Sequence, residues 1–559
     1  MMSRVNPSLG AVIVAMALGA CTNMTSCVGC NPPAPQWLNY RDYPGRFGSQ
    51  LLGSSLTDPS KVKTLHVVPG WAFTPAEGGA FRASPIVFNK AVFVGTTNGY
   101  FYAIDAGSGH QLWKFPPTGP ALNGTCTQGG NGSWGQYGIQ SSASYLSIGG
   151  QDAVVFGAPD PDPGTDGGVG SARLWALNAS SGALIWKSDV VAHVNCSASS
   201  QLHERITYSS PLVAFGNVYV GVHDAGDDPV QKGKVMAVDA NKGHLTSFSF
   251  VAVGSTKDTL IGGGVWNSPA TDGRAVLFTT GNICEVYGCP EPEPSPDYSL
   301  SLVSVDPATG ASNWSFRAVP FSLDKDPDWS AGPAMMLTSC GELVGSVEKD
   351  GWVYALDSSS GSCKWQFPPT AGPGCVFSPG DTHRHGDDDY KQPGASWGDE
   401  LIIKAGGEAL VTDGVVAGYT RMHALDACAP DEAHRVRWIV DVPHASPGNG
   451  YAIGAPTVTG GIVYVTTDQG HVVAFADPSV LGAPAPGFRC SSIDFGPPSP
   501  TWASDCTAAG YVIVQAPQVI ADVALPDGSD AAGLRGEAAI ALGGLFVGTA
   551  AGHLYKLEP

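Results

Sequence analysis

Charge is scarce in this chain, and basic charge is scarcer. Charged residues make up 14% of the 559 residues, with 29 Lys and Arg against 49 Asp and Glu and a formal net charge of −20. No basic stripe is present, which argues against a nucleic-acid partner, because counterion release needs clustered cations. The acidity suits a basic partner such as a cytochrome. Long apolar runs are also lacking. The run at residues 11–20 (AVIVAMALGA) is too short to span a bilayer as a permanent helix. No long segment carries a 3.6-residue apolar period, so helices are not expected. There is no Gly-x-Ser-x-Gly elbow, no His-Glu-x-x-His and no phosphate loop. Cys27-Val-Gly-Cys30 is followed by Asn31, so the His of a c-type haem attachment is missing. As a lone Cys-x-x-Cys it is also a poor zinc site, and it reads as a small disulfide loop.

What the chain has in quantity is Gly (73) and Pro (44), the composition of an all-β protein full of turns. Residues 92–115 show the unit. Val92-Phe93-Val94 is a strand, Thr97-Asn98-Gly99 a tight turn, residues 100–104 a second strand, residues 105–109 a turn, and Leu112-Trp113-Lys114-Phe115 a third strand. A meander with one open apolar face needs copies of itself. Copies recur at Ala176-Leu-Asn178 with Gly182 and Trp186, and at Val305-Asp306 with Gly310 and Trp314. Others lie at Ala355-Leu-Asp357 with Gly361 and Trp365, and at Ala424-Leu-Asp426 with Trp438. In Ala237-Val-Asp239 with Gly243, Phe248 lies near the Trp position, and residues 474–476 and 554–557 are worn copies. Each follows a small-residue strand, such as Ser84-Pro85 or Ser268-Pro269. The expected fold is therefore an all-β, eight-bladed β-propeller with four strands per blade. Residues 65–73, with Trp71, match an outer strand without a unit of its own and are expected to close the last blade. The repeated Trp reads as a packer between blades, which is evidence of fold and not of chemistry.

The N-terminus reads as a targeting segment, with Arg4 ahead of the apolar run. Leu18-Gly19-Ala20-Cys21 resembles a bacterial lipobox, which implies cleavage before Cys21 and lipid on its sulfur; an ordinary secretory signal is the alternative. The expected organisation is a signal peptide at 1–20, a tether at 21–36 and the propeller at 37–559. The location is the bacterial cell envelope, facing the periplasm or the exterior, with membrane contact through the lipid anchor. Of 13 cysteines, 12 then remain for an oxidising compartment. Cys284 with Cys289, Cys490 with Cys506, and Cys340 with Cys363 are expected pairs. His383-Arg-His385-Gly-Asp-Asp-Asp389 contains metal-ligand types, but with no helix to set their spacing it reads as a solvated loop.

Residues 37–49 (WLNYRDYPGRFGS) and 56–65, taken with the Ala-x-Asp-x-x-x-Gly…Trp repeats, resemble the pyrroloquinoline quinone (PQQ) dehydrogenases, nearest the polyvinyl-alcohol dehydrogenase branch. The resemblance covers essentially all of residues 37–559. It implies PQQ, a calcium ion, an alcohol substrate and a separate electron carrier such as a cytochrome c. It puts the stacking aromatic at Trp266, a calcium-ligand Asn at Asn282 and a cation against the quinone oxygens at Lys349. The family's calcium-binding Glu has no counterpart, leaving Asp224 or Asp227 as substitutes. The family's base, the Asp after Trp, is here Ser330 in Asp326-Pro-Asp328-Trp329-Ser330, so Asp328 is the remaining carboxylate for that role. Each residue also has an ordinary reading: a blade-core Trp, an Asn in a turn, an exposed hairpin Lys. The rival function is a non-catalytic propeller lipoprotein serving as a protein-binding scaffold, since such propellers share the repeat.

Overall fold

A computed structural model describes residues 36–50, 55–124, 138–162, 171–194, 204–223, 233–252, 262–281, 298–317, 329, 331–348, 353–367, 375, 401–404, 408–416, 419–431, 434–446, 453–477, 488–490, 513–515, 517–527 and 537–559. Their regular structure is almost entirely strand, paired mostly as antiparallel four-stranded sheets that succeed one another along the chain. The first blade shows why. Ala91–Gly95 and Phe101–Asp105 bury nearly every side chain, on both faces, because a neighbouring blade covers each face. The outer strand Gln111–Phe115 is exposed at Gln111 and Leu112, half-buried at Trp113 and Lys114 and buried at Phe115. Between the first two blades, Phe101 stacks on Phe156 with centroids 4.2 Å apart. Burying one such ring contributes about 2–3 kcal/mol.

The expectation of eight blades is corrected by the described packing, which makes seven. Five of these are residues 86–115, 144–187, 212–251, 270–317 and 334–367. The sixth spans residues 457–524, and a two-stranded ribbon, Phe488–Cys490 with Ile513–Gln515, is inserted before its outer strand. The seventh is composite: residues 539–558 supply three strands and His66–Phe73 the outer one, pairing His66 with Glu558 and Phe73 with Leu554. The expected closure by the N-terminal strand is therefore present. The remaining four-stranded sheet, residues 401–441, is a backbone ladder in which Leu401–Lys404 and Glu408–Val416 have no described side chains.

One segment holds the seven blades together. Residues 37–50 reach the innermost strand, or the residues just before it, in every one of them. Trp37 pairs with Val87, the Leu38 carbonyl accepts from Tyr145, and the Pro44 and Gly45 carbonyls accept from Thr271 and Met335. Gly48 and Gln50 bond to Val458. The Arg46 guanidinium donates to the carbonyls of Tyr40, Ser210, Pro211 and Pro269 at 2.8–3.2 Å. Arg41 donates to Glu537 through its backbone N–H (2.7 Å) and its guanidinium (3.4 Å). Arg41, Asp42, Arg46 and Glu537 are all buried. Burial pushes the Glu537 carboxyl up to about 7 against the pull of Arg41 and Arg46, and raises Asp42 well above its usual range. It lowers Arg46 to about 9.

The repeat motif is a joint between blades. Five outer-strand Trp residues donate their indole N–H to the backbone carbonyl of the residue after the Asp or Asn of the next unit, while Trp438 donates to the Asp477 carboxylate at 2.8 Å. Trp71 bonds to Ala106, Trp113 to Ala179, Trp186 to Ala240, Trp314 to Ser358 and Trp365 to Ala427, all at 2.9–3.1 Å. The Asp shapes that turn: the Asp357 carboxylate accepts the Ser359 and Ser360 hydroxyls and N–H groups, and these bonds, the Ser359 hydroxyl foremost, hold it down at about 2. Gly361 completes the turn at φ +68°, where a Cβ would come within 2.5 Å of the Trp314 ring. Gly361→Ala should therefore cost about 2 kcal/mol from left-handed strain and overpacking. Gly70→Ala, at φ +76° with nothing within 4 Å, should cost only the strain. Urea midpoints of the two variants test the difference. Where Phe248 replaces Trp, no indole bond forms, and the Ser249 N–H donates to the Thr309 carbonyl at 3.4 Å instead.

Two disulfides are described. Cys340, in a hairpin turn, pairs with Cys428 in the adjacent sheet (Cα–Cα 5.7 Å), and Cys363 pairs with Cys375 (Cα–Cα 5.8 Å). The expected Cys340–Cys363 pair is corrected. Cys363 begins the outermost strand, two strands from the turn of Cys340, and roughly 10 Å across two ladder spacings exceeds a disulfide's reach. Cys284, Cys289 and Cys506 lie outside the described residues, as do Cys21, Cys27, Cys30 and the 383–389 loop. No helix among the described residues is long and apolar enough to cross a membrane.

Candidate functional site

The segment 264–267 leads into the inner strand of the fourth blade, and four other stretches meet it. Gly262 and Gly263 both take positive φ (+81° and +73°), which only glycine adopts freely and which turns the chain into this segment. The Val265 N–H donates to the Val222 carbonyl (3.0 Å), at the end of the strand Asn217–Val222. The Gly264 carbonyl accepts from Gly281 (2.8 Å), just past the strand Val276–Thr279. Buried Asn267 donates from Nδ2 to the Trp329 carbonyl (2.9 Å) and the Thr279 hydroxyl (3.0 Å). Trp329 is fully buried. It bridges to Glu348 at the end of the strand Gly341–Val347, and its ring meets Tyr354 edge-on at 5.6 Å. The Thr279 and Ser346 hydroxyls both donate to the Ala331 carbonyl, at 3.0 and 2.7 Å, tying blades four and five at this point.

Of the residues singled out from sequence, Trp266 is described. It is half-buried on the segment where these stretches meet. Asp224, Asp227, Asn282, Asp328, Ser330 and Lys349 lie outside the described residues. Their chain neighbours are placed, and those neighbours converge. His223 precedes Asp224, Gly281 precedes Asn282, Trp329 separates Asp328 from Ser330, and Glu348 precedes Lys349. His223 is buried, pairs its backbone with Arg205 at 2.7 and 2.9 Å, and stacks its ring on Tyr208 at 5.5 Å.

Sequence reasoning passed over Asn267 and Glu348. Asn267 stands in Asn267-Ser-Pro269 and reads as an ordinary turn. Its role as the clamp between blades four and five depends on a partner 62 residues away. Glu348 was masked by interest in Lys349, yet it puts a fully buried carboxylate beside Trp329. Adjacency to a candidate cation was the available signal.

A family described as the glucose/ethanol/alcohol dehydrogenase β-propeller domain, PQQ, matches residues 55–373, more than half of the chain. A lupanine 17-hydroxylase [cytochrome c] from Pseudomonas sp is 25% identical over 349 residues, which is 57% of this chain and 46% of that protein. The dehydrogenase subunit of an alcohol dehydrogenase (quinone) from Gluconobacter oxydans (strain 621H) is 24% identical over 58% of this chain and 43% of its own length. The matched region is thus a little under half of these curated relatives. Among solved structures, the quinohemoprotein alcohol dehydrogenase from Comamonas testosteroni is similar, with a TM-score of 0.65 and 16% identity over 94% of this chain and 80% of that one. That likeness is one of fold.

Proposed function

Since the chain belongs to the PQQ β-propeller family of glucose, ethanol and alcohol dehydrogenases, we propose that it is a PQQ-binding quinoprotein that oxidises an alcohol, polyvinyl alcohol or a similar one. The observation that carries this reading is the meeting of three strand ends and Trp329 on the segment that holds the half-buried Trp266. A half-buried indole there suits a planar, anionic quinone, and Asp224, Asn282, Asp328 and Lys349, each beside one of those described residues in the sequence, are of the types that serve such a cofactor and a hard metal ion. PQQ, when bound, supplies the two-electron acceptor for the hydride of the alcohol.

The chain's own residues have distinct tasks. Trp266 offers the stacking surface. Asn282 and Asp224 present oxygens to calcium, a cation that takes six to eight such ligands. Lys349 would supply a cation to the quinone oxygens. Asp328 takes the alcohol proton, because the neighbouring Ser330 hydroxyl is too weak a base to do so unaided. Electrons leave to a separate carrier such as a cytochrome c, which the acidic surface favours. Lipid on Cys21 holds the protein at the bacterial cell envelope.

Titration of the purified protein with PQQ and calcium, followed by calorimetry and visible absorbance, tests the site. Saturable, calcium-dependent binding is expected, weakened at least tenfold in Trp266→Ala. Asp328→Asn should bind PQQ normally and lose dye-coupled alcohol oxidation. No binding at high micromolar PQQ would sink the enzyme and leave a scaffold.

A further inference from the structure

Away from Trp266, at the edge of the blade formed by residues 457–524, two histidines and an aspartate face one another. His444 lies just beyond the strand Val436–Asp441, and His471 opens the strand His471–Ala476. Their rings stack with centroids 3.7 Å apart and planes 11° from parallel. Asp522, on the outer strand Gln518–Ala524, lies between them. Its Oδ2 is 2.8 Å from His444 Nε2, and its Oδ1 is 2.7 Å from His471 Nδ1. All three ligand atoms lie within 4.8 Å of one another.

We propose that His444, His471 and Asp522 form a binding site for a borderline divalent transition metal, with zinc the best fit. Two imidazoles and one carboxylate are the donor types such ions prefer, and three protein ligands leave a fourth, exchangeable position for water. Bonds of about 2.0–2.2 Å put tetrahedral ligand atoms roughly 3.4 Å apart. Both His–Asp separations, 2.7 and 2.8 Å, are shorter than that, so the carboxylate and the two rings would part slightly to admit the ion. As exposed ion pairs alone, these contacts would contribute only about 0–1 kcal/mol.

The loop holding His444 is built rather than loose. His444 adopts a left-handed φ of 60°, a conformation uncommon outside glycine. Two residues on, the Ser446 N–H donates to Asp468 (2.9 Å), and the Gln469 side chain bonds to the Ser446 hydroxyl. These bonds fix the loop against the turn that precedes His471. A metal here would staple the chain leaving the residue 401–441 sheet to the next blade.

The test is calorimetry of zinc chloride into chelator-treated full-length protein, with saturating calcium to fill hard-cation sites. One equivalent binding at micromolar Kd or tighter is expected, with at least tenfold weakening in His444→Ala, His471→Ala and Asp522→Asn. Cobalt should give a visible d–d absorption that His444→Ala abolishes. His444 is exposed, so its metal-free variant should melt as the parent does, which separates ligand loss from misfolding. Absence of a stoichiometric zinc event, or zinc binding and cobalt absorption unchanged in all three variants, overturns the site.

Discussion

Trp71→Ala is expected to cost about 4 kcal/mol, the range for emptying a buried indole site. Trp71 is 2% exposed, meets Phe546 at 5.5 Å and packs over Gly109, so its removal empties the seam between the closing blade and the first. Trp71 stands on the strand that joins the two ends of the propeller, His66–Phe73 against Leu554–Glu558. Loosening it exposes unpaired sheet edges. The same truncation at Trp113, inside the continuous chain, should cost a similar amount without releasing a terminus. Limited proteolysis should therefore cut near residues 66–73 in Trp71→Ala and not in Trp113→Ala. Trp71→Phe keeps most of the ring and gives up the bond to Ala106, worth about 1 kcal/mol. Equal stability of the Ala and Phe variants in urea would show that indole packing does not hold the closure.

Glu537→Gln should make the protein more stable at pH 8 and leave it nearly unchanged at pH 5. The carboxyl lies in the buried hub, where desolvation outweighs Arg41 and Arg46 and raises it from an ordinary 4.5 to about 7. Between those values the folded state holds a proton that the unfolded chain has released. Parent stability therefore falls as pH rises through this window. At about 1.4 kcal/mol per pKa unit, the fall is on the order of 3 kcal/mol. Gln matches the protonated carboxyl in shape and keeps an acceptor for the Arg41 N–H, so the variant lacks the fall. The low-lying carboxylates, Asp105, Asp306 and Asp357, act below their ordinary value of 3.8 and stay out of the window. Chemical denaturation of both proteins from pH 4.5 to 8 reads the difference. A variant that loses ground to its parent as pH rises would mean that pairing with Arg41 outweighs desolvation, as it does for many ion pairs cut on one side.

The meander was legible in the sequence because it is local. Strand alternation, Asn-Gly and Asp-x-x-x-Gly turns and small-residue inner strands act within a few residues, so the first blade could be drawn from residues 86–115 alone. The unmatched outer strand with Trp71 was legible as well, since a repeat that ends one strand short needs a replacement. The expected count of eight blades did not survive. Insertions, such as the ribbon before residue 518, change a blade without changing its motif. The site was half legible. Trp266 is conspicuous by type, but Asn267 acquires its role from the Trp329 carbonyl, and His444 acquires its from a ring on another strand.

The sequence by itself thus determined the strands, the turns and the supply of Trp residues, all of which follow from short-range sterics and apolar patterning. Only the tertiary structure decided where each Trp docks, that Arg46 spends its donors on carbonyls of distant blades, and which cysteine meets Cys340. Those outcomes rest on contacts between residues up to 496 apart, as in Arg41 with Glu537. Such pairs leave no periodic trace in the chain, because what selects them is the closing of the ring.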